Sequence, residues 1–419
     1  MKHPRERNQV ALDWLNFFVA NVQTGFGAFI AVYLTAHRWT QTEIGLALTV
    51  GTVTAMASQV PGGALVDAMR DKRVAAALAI GAIILSALLF ALWPAPLPIL
   101  LAEVLHGFAS CMLAPAIAAI SITISRMNQI GARLGRNARF ASIGNGLAAA
   151  AMGAAGYYIS DRSVFVLTAA LAAPALVALW HIRPMLFQAE SHPSAQGSRG
   201  LDGWRQLIDR RLIVFAGATA LFQLGNAAML PIAAGEVTKQ IATGATLVIA
   251  ACIMLPQAVV ALLSPWVGRT ADRLGRRQVL MLGLAAVTLR GVLFATITNP
   301  YAITAVQMLD GVSGACLGVL LPLVAADITR GSGRFNLCMG LIGLASGVGA
   351  SISTSLAGLA ADALGIRAAF AALALPGIAA LLLTWFALPE TRPEREHTIK
   401  PASAPDAETN PRLRYQSRP

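Results

Sequence analysis

Two pairs of polar residues interrupt apolar stretches of this sequence at matching places. Glu103 and His106 stand in "LLAEVLHGFASCM", and Gln307 and Asp310 in "AVQMLDGVSGACL". Residues three apart on a helix share a face, so each pair offers two polar ends to one neighbour. The chemistry open to Glu103 and His106 is proton transfer. Low dielectric favours a neutral carboxyl group, which can then exchange a proton near neutral pH, and imidazole titrates there unaided. The alternative is a buried hydrogen-bonded pair that never titrates. Asp310 is a third candidate for proton coupling, and one basic residue, Arg290, falls near it. Counting 1.5 Å per residue from helix ends at Val279 and Tyr301, Arg290 lies about 16 Å and Asp310 about 14 Å into a core about 30 Å thick. An unpaired Arg at that depth costs at least about 2.5–3.5 kcal/mol. A buried Arg290–Asp310 pair, structural or coupling-related, is therefore expected; the alternative is that Arg290 snorkels to a head group.

Further polar residues recur at helical spacing in apolar surroundings. Asn16 and Gln23 follow one face of the first segment, with Ala20, Thr24 and Gly27. Gln223 and Asn226 precede Pro231, and Gln257 adjoins Pro256. With Gln307, these are the candidates for lining a substrate cavity; hydrogen bonds between helices, worth about 0.6 kcal/mol on average, are the alternative. Asp13 is expected to partner a loop Arg, while Asp327 and Glu236, at helix ends, are expected to be solvated. The four cysteines lie in or beside apolar helices without metal-ligand spacing, so neither a metal nor another cofactor is expected.

The elements that carry these residues are apolar runs. Of the 419 residues 56% are hydrophobic and only 12% charged. Twelve membrane-spanning helices are predicted, roughly at 10–35, 43–66, 74–92, 97–125, 140–160, 163–182, 211–235, 243–266, 279–298, 301–328, 337–361 and 368–388, each about long enough to cross a bilayer. The first follows a charged tail and is read as a retained helix rather than a cleaved signal. A linker at 183–210 separates two halves, 1–182 and 211–388, and a polar tail at 389–419 is expected to be disordered.

The net charge of +12 is a matter of topology. With the N-terminus inside, 27 of the 32 Lys and Arg residues fall on the inner side, the asymmetry that puts both termini in the cytoplasm. Nucleic-acid binding is excluded on that ground. Arg outnumbers Lys 28 to 4 and alanine is abundant, which points to a bacterial cytoplasmic membrane protein.

The halves repeat. "GALVDAMRDKRVA" begins at Gly63 and "GRTADRLGRRQVL" at Gly268, 205 residues later, and "LHGFASCM" matches "LDGVSGACL" at nearly that offset. Such repeats mark transporters whose path runs between the halves. The two charged stretches resemble the loop signature of the major facilitator superfamily, roughly G-x-L-a-D-r-x-G-r-r. Gly268, Asp272, Arg273, Gly275, Arg276 and Arg277 match it, with Thr270 in place of Leu; Gly63 and Asp67 match, but Ala68 and Arg70 depart from it. The resemblance implies two pseudo-symmetric six-helix bundles in an all-α integral membrane protein. It also implies a gating role for the loops. An acid there can meet a loop Arg or the positive N-terminal end of a helix, and such contacts exist only while the inner ends of the halves are together. Topology alone is the competing account of the Arg residues. Where many exporters of the family carry an Arg on the fourth helix, this chain has Glu103, and the fifth helix lacks their Gly-Pro ending.

The function expected is a secondary transporter moving a small organic solute by alternating access, proton-coupled and exporting, acting as a monomer in the bilayer. A proton-coupled importer and a non-transporting receptor of the same fold are the alternatives. A primary pump is excluded because no phosphate-binding G-x-x-x-x-G-K-[ST] loop occurs, and an enzyme because no catalytic cluster does.

Overall fold

The computed structural model describes residues 4–24, 26, 30, 33, 34, 37–39, 41–126, 129–182, 209–233, 245–330 and 332–392. They form twelve helices. In the first half these are α1 (Pro4–Thr24), α2 (Gln41–Ala68), α3 (Lys72–Leu92), α4 (Pro96–Thr123), α5 (Ile130–Tyr158) and α6 (Asp161–His181). The second half has α7 (Arg210–Asn226), α8 (Ala245–Leu274), α9 (Arg276–Thr296), α10, α11 (Phe335–Leu364) and α12 (Ile366–Ala387). α10 comes in two pieces, Pro300–Val306 and Met308–Ile328, that meet at Gln307. Among the described residues nine helices are long and apolar enough to cross a membrane.

The repeat is visible in the packing. α1 lies on α5 and α6, α4 on α2 and α3, and α3 on α6; α7 lies on α11 and α12, α10 on α8 and α9, and α9 on α12. Each half has its own apolar core, one running from Ala11 to Ile182 and the other centred on α7 to α12. The second core also takes in Ile130 and Leu134 of α5, so the start of that helix is gripped by the opposite half. The halves meet mainly through two helix pairs, α2 with α11 and α5 with α8.

Several helices reach beyond the apolar runs at the end that carries the charged loops, hereafter the basic end. α5 begins at Ile130 rather than near 140, so Arg133, Arg136 and Arg139 are helical and not loop residues. The reason is electrostatic: its first turn receives a carboxylate from α8 and its arginines receive one from α1, so the helix needs no bilayer to persist there.

The cross-half contacts are close because glycines allow it. A methyl group on Gly268 would strike the Gly131 carbonyl, and one on Gly63 the Asn336 carbonyl. One turn deeper, Gly135 abuts the Ser264 backbone, and Gly340, 205 residues further on, abuts that of Gln59. These pairs exchange under the repeat, so the basic end is closed twice by backbone against backbone. Small residues let helix axes approach in this way. Gly135→Leu and Gly340→Leu should each disfavour this closed arrangement by about 1–3 kcal/mol, the usual cost of overpacking. Spin labels at the exposed positions 70 and 269 should then report a longer separation. Gly146→Leu, where an added Cβ meets nothing within 4 Å, should leave that separation unchanged.

Candidate functional site

Asp67, at the end of α2, accepts hydrogen bonds from the backbone N–H groups of Asn336 (3.0 Å) and Leu337 (2.8 Å) and from the Asn336 amide (2.6 Å). Asp272, at the end of α8, accepts from the N–H groups of Gly131 (3.2 Å) and Ala132 (3.0 Å). In both cases an acid from one half occupies the first turn of a helix in the other, α11 or α5. The first N–H groups of a helix have no internal partner, so each carboxylate caps a helix it does not belong to, with the helix dipole in its favour. Such a cap is worth about 0.5–2 kcal/mol.

The loops behind the two acids differ. In the second, Gly275 takes φ 120°, a conformation that suits glycine, and Glu390 caps α9 through the N–H groups of Arg276 (2.8 Å) and Arg277 (3.2 Å). Buried Arg276 then binds Asp327 at 2.8 Å and lies 3.5 Å from Asp272. Asp327 is thus a buried ion-pair partner, not the solvated residue expected from its place at a helix end. Arg277 lies over the Trp385 ring; Arg269 and Arg273 are exposed. The first loop has Arg70 where the second has Gly275, and Arg70 does not adopt positive φ. Lys72 instead caps α2 by donating to the carbonyls of Val66, Asp67 and Met69 at 2.6–3.0 Å. Asp71, hydrogen-bonded to Arg73, has its carboxyl held below the ordinary range by that contact; Arg70 is exposed.

A buried network that sequence reasoning only half anticipated backs α5. Asp13 pairs with both Arg133 and Arg136, Arg133 donates to Asn137 (2.9 Å), and the Asn137 amide donates to Ser121 (2.6 Å). Losing one partner of a buried pair costs about 3–5 kcal/mol. The clue to Arg133 and Arg136 was their three-residue spacing, hidden by treating the stretch as loop.

Deeper along the helices, Glu103 is 3% exposed, and its carboxyl lies against Gly51 of α2, with no room for a Cβ there. One of its oxygens has no partner among the described residues. His106 stacks on Phe26 with ring centroids 3.8 Å apart rather than bonding to Glu103. Gln307 is 1% exposed at the break in α10, and neither atom of its amide has a partner among the described residues. Arg290, 1% exposed, forms an ion pair with Asp310 and donates to the Asn226 side chain (2.5 Å) and weakly to the Met229 sulfur (3.2 Å). It is held within the second bundle and does not snorkel.

The remaining cavity candidates are scattered. Gln223 and Gln257 are half-buried on α7 and α8. Asn16 is buried and donates to the Leu12 carbonyl of its own helix (2.8 Å). The side chain of Gln23, and the whole of Glu236, lie outside the described residues.

The Arg290–Asp310 contact predicts a test. Arg290→Ala and Asp310→Ala should each lower folded yield, with a penalty of about 3–5 kcal/mol for the buried charge left behind. The double variant should recover part of the loss. Simple additivity of the two losses would show that the pair does not act as a unit.

The family model described as "Major Facilitator Superfamily" matches residues 12–260 and 216–415. An uncharacterized MFS-type transporter of Mycobacterium tuberculosis (strain ATCC 25618 / H37Rv) is 35% identical over 393 residues, covering 91% of this chain and 93% of its own. The class B tetracycline resistance protein of Escherichia coli is 31% identical over 135 residues, 32% of this chain and 33% of its own. Among solved structures, an MFS transporter, FucP, in the outward conformation superposes with a TM-score of 0.77 at 13% identity, over 92% of this chain and 99% of that one. The human organic anion transporter MFSD10 gives 0.73 at 12% identity, over 91% and 100%. The chain belongs to the Major Facilitator Superfamily of membrane transporters.

Proposed function

We propose that this protein exports a small organic solute across a bacterial cytoplasmic membrane by alternating access, coupled to protons, as a monomer with both termini and the basic end in the cytoplasm. The observation that carries this reading is the reciprocal capping by Asp67 and Asp272. Each cap joins one half to the other, so rocking the halves apart must break both. Two caps of about 0.5–2 kcal/mol each can hold a closed inner gate and still be overcome in every cycle. The positive-inside distribution of Lys and Arg supports the orientation. The partial likeness to tetracycline resistance proteins supports export, since outward movement is the direct way for a transporter to give resistance.

Proton coupling is assigned to Glu103. Gln307, its counterpart in the repeat, is a permanently neutral side chain of nearly the same shape, and both are buried with an unpartnered polar atom. A position built for a neutral polar end fits a carboxyl group that is protonated in this state. No cation approaches Glu103 among the described contacts. Asp310 is already committed to an ion pair with Arg290, which Glu103 is not.

Two outcomes follow. Asp272→Asn, which removes the charge and leaves one acceptor oxygen for two N–H groups, should reduce flux in proteoliposomes with membrane insertion unchanged, and Asp272→Ala, which removes the cap, should reduce it by roughly 2–30-fold; Asp67→Asn should act in the same direction, more mildly. Wild-type turnover in Asp272→Asn would reduce the loop to a topology signal. Glu103→Gln should abolish accumulation driven by a pH gradient while exchange at equal pH persists. Unchanged pH-driven accumulation would remove Glu103 from the coupling step.

A further inference from the structure

A cavity of about 700 Å³ lies between α1 and α6 on the outer flank of the first bundle. Its walls are apolar: Trp14 and Phe18 on α1, Ala173 and Val177 on α6. It runs along α1 from Arg7 to Phe18, about 16 Å of helix. Its two basic side chains, Arg7 and His181, both stand at the basic end, in the first turn of α1 and at the last residue of α6. Both are exposed. The His181 ring donates through Nδ1 to the Val177 carbonyl at 2.8 Å, because a carbonyl can only accept. That leaves Nε2 on the outward side of the ring, at the mouth of the cavity.

The repeat supplies an internal control. α6 and α12 start 205 residues apart, at Asp161 and Ile366. At that offset Ala173, Val177 and His181 correspond to Ile378, Leu382 and Phe386; α1 and α7 correspond at 203 residues, since Gly144 abuts Phe17 as Gly349 abuts Ala220, so Arg7 corresponds to Arg210. The second half therefore carries larger apolar residues on α12 and, at its mouth, an arginine facing Phe386 in place of a histidine. On that side Gly217 of α7 is already met by the Leu383 side chain, 3.4 Å from where a Cβ would stand. The space on α6 and the pairing of an arginine with a histidine at its mouth are thus features of the first half.

We propose that this cavity holds one anionic phospholipid of the inner leaflet, with an acyl chain between α1 and α6 and its phosphate on Arg7 and His181. The chemistry matches at both ends. An acyl chain needs a long apolar slot that opens sideways to the bilayer, and a phosphate needs cations at head-group level, where basic pockets between helices bind anionic lipids. A neutral, zwitterionic lipid would gain the slot but place its own ammonium beside Arg7. α1 also carries Asp13, the residue that holds Arg133 and Arg136 at the start of α5, so the lipid would steady the helix that receives the Asp272 cap.

The test uses the full-length protein in nanodiscs of phosphatidylcholine with a minority of phosphatidylglycerol, followed by native mass spectrometry. Wild type should retain one phosphatidylglycerol in preference to phosphatidylcholine. The Arg7→Gln/His181→Gln variant, altered only at exposed positions, should lose that preference by tenfold or more. Ala173→Trp should lose retention of either lipid because it fills the slot while leaving the cations in place, and Ile378→Trp, at the counterpart position, should retain the lipid as wild type does. Thermal melting of each variant in detergent confirms that it is folded. Equal retention of the two lipids by wild type would overturn the proposal. So would retention of phosphatidylglycerol that neither the Arg7/His181 variant nor Ala173→Trp diminishes. The readout is lipid mass, not flux, so it stands or falls independently of the transport reaction.

Discussion

The arrangement depends on one kind of contact, a carboxylate from one bundle set on the exposed N–H groups at the start of a helix in the other. It is charge-assisted and directional, yet each acid engages only two or three donors. Everything around it serves to bring backbones close enough for it to form. Glycines at 63, 131, 135, 268 and 340 remove the side chains that would keep the helices apart, and the core of the second half extends over Ile130 and Leu134.

The two copies of this contact are not equal. Asp272 is tied through Arg276 to Asp327, and the turn behind it is fixed by Glu390 and a glycine with positive φ. The α5 end that it caps is itself fastened to Asp13 by two arginines. Asp67 stands without such a relay: Lys72 closes only its own loop, and Arg73 serves Asp71. The α5–α8 edge is therefore the more heavily braced side of this closure, and the α2–α11 edge the simpler one.

Much of this was legible in the sequence, for identifiable reasons. Apolar runs gave twelve helices in two halves, and the 205-residue offset paired Gly63 with Gly268 and Asp67 with Asp272 before any contact was known. Asn336 and Gly131 could not be read in the same way, because they serve through backbone N–H groups that every non-proline residue has. Arg133 and Arg136 fall between the predicted helices because hydropathy ends a helix where charge begins, whereas buried ion pairs let α5 continue. Asp327 was misjudged for a related reason: its partner, Arg276, lies 51 residues away, and its position at a helix end says nothing about that. The slot between α1 and α6 is made by small apolar residues that look like any others in a helix.

A closure built from backbone against backbone has an electrical consequence. Along α2 the tight contacts run from Asp67 to Met56, whose sulfur lies 3.7 Å from the Ser351 hydroxyl, about 16 Å of helix. Packing this close leaves little room for water along the α2–α11 and α5–α8 contacts. When the far end admits water, the membrane voltage falls mainly across these contacts rather than across the whole bilayer. A charge moving within the wet part of the protein then does little electrical work, while one carried past the contacts does work of about 2.3 kcal/mol per 100 mV. The glycine contacts that shut the inner end would therefore also decide where in the transport cycle the membrane potential can act.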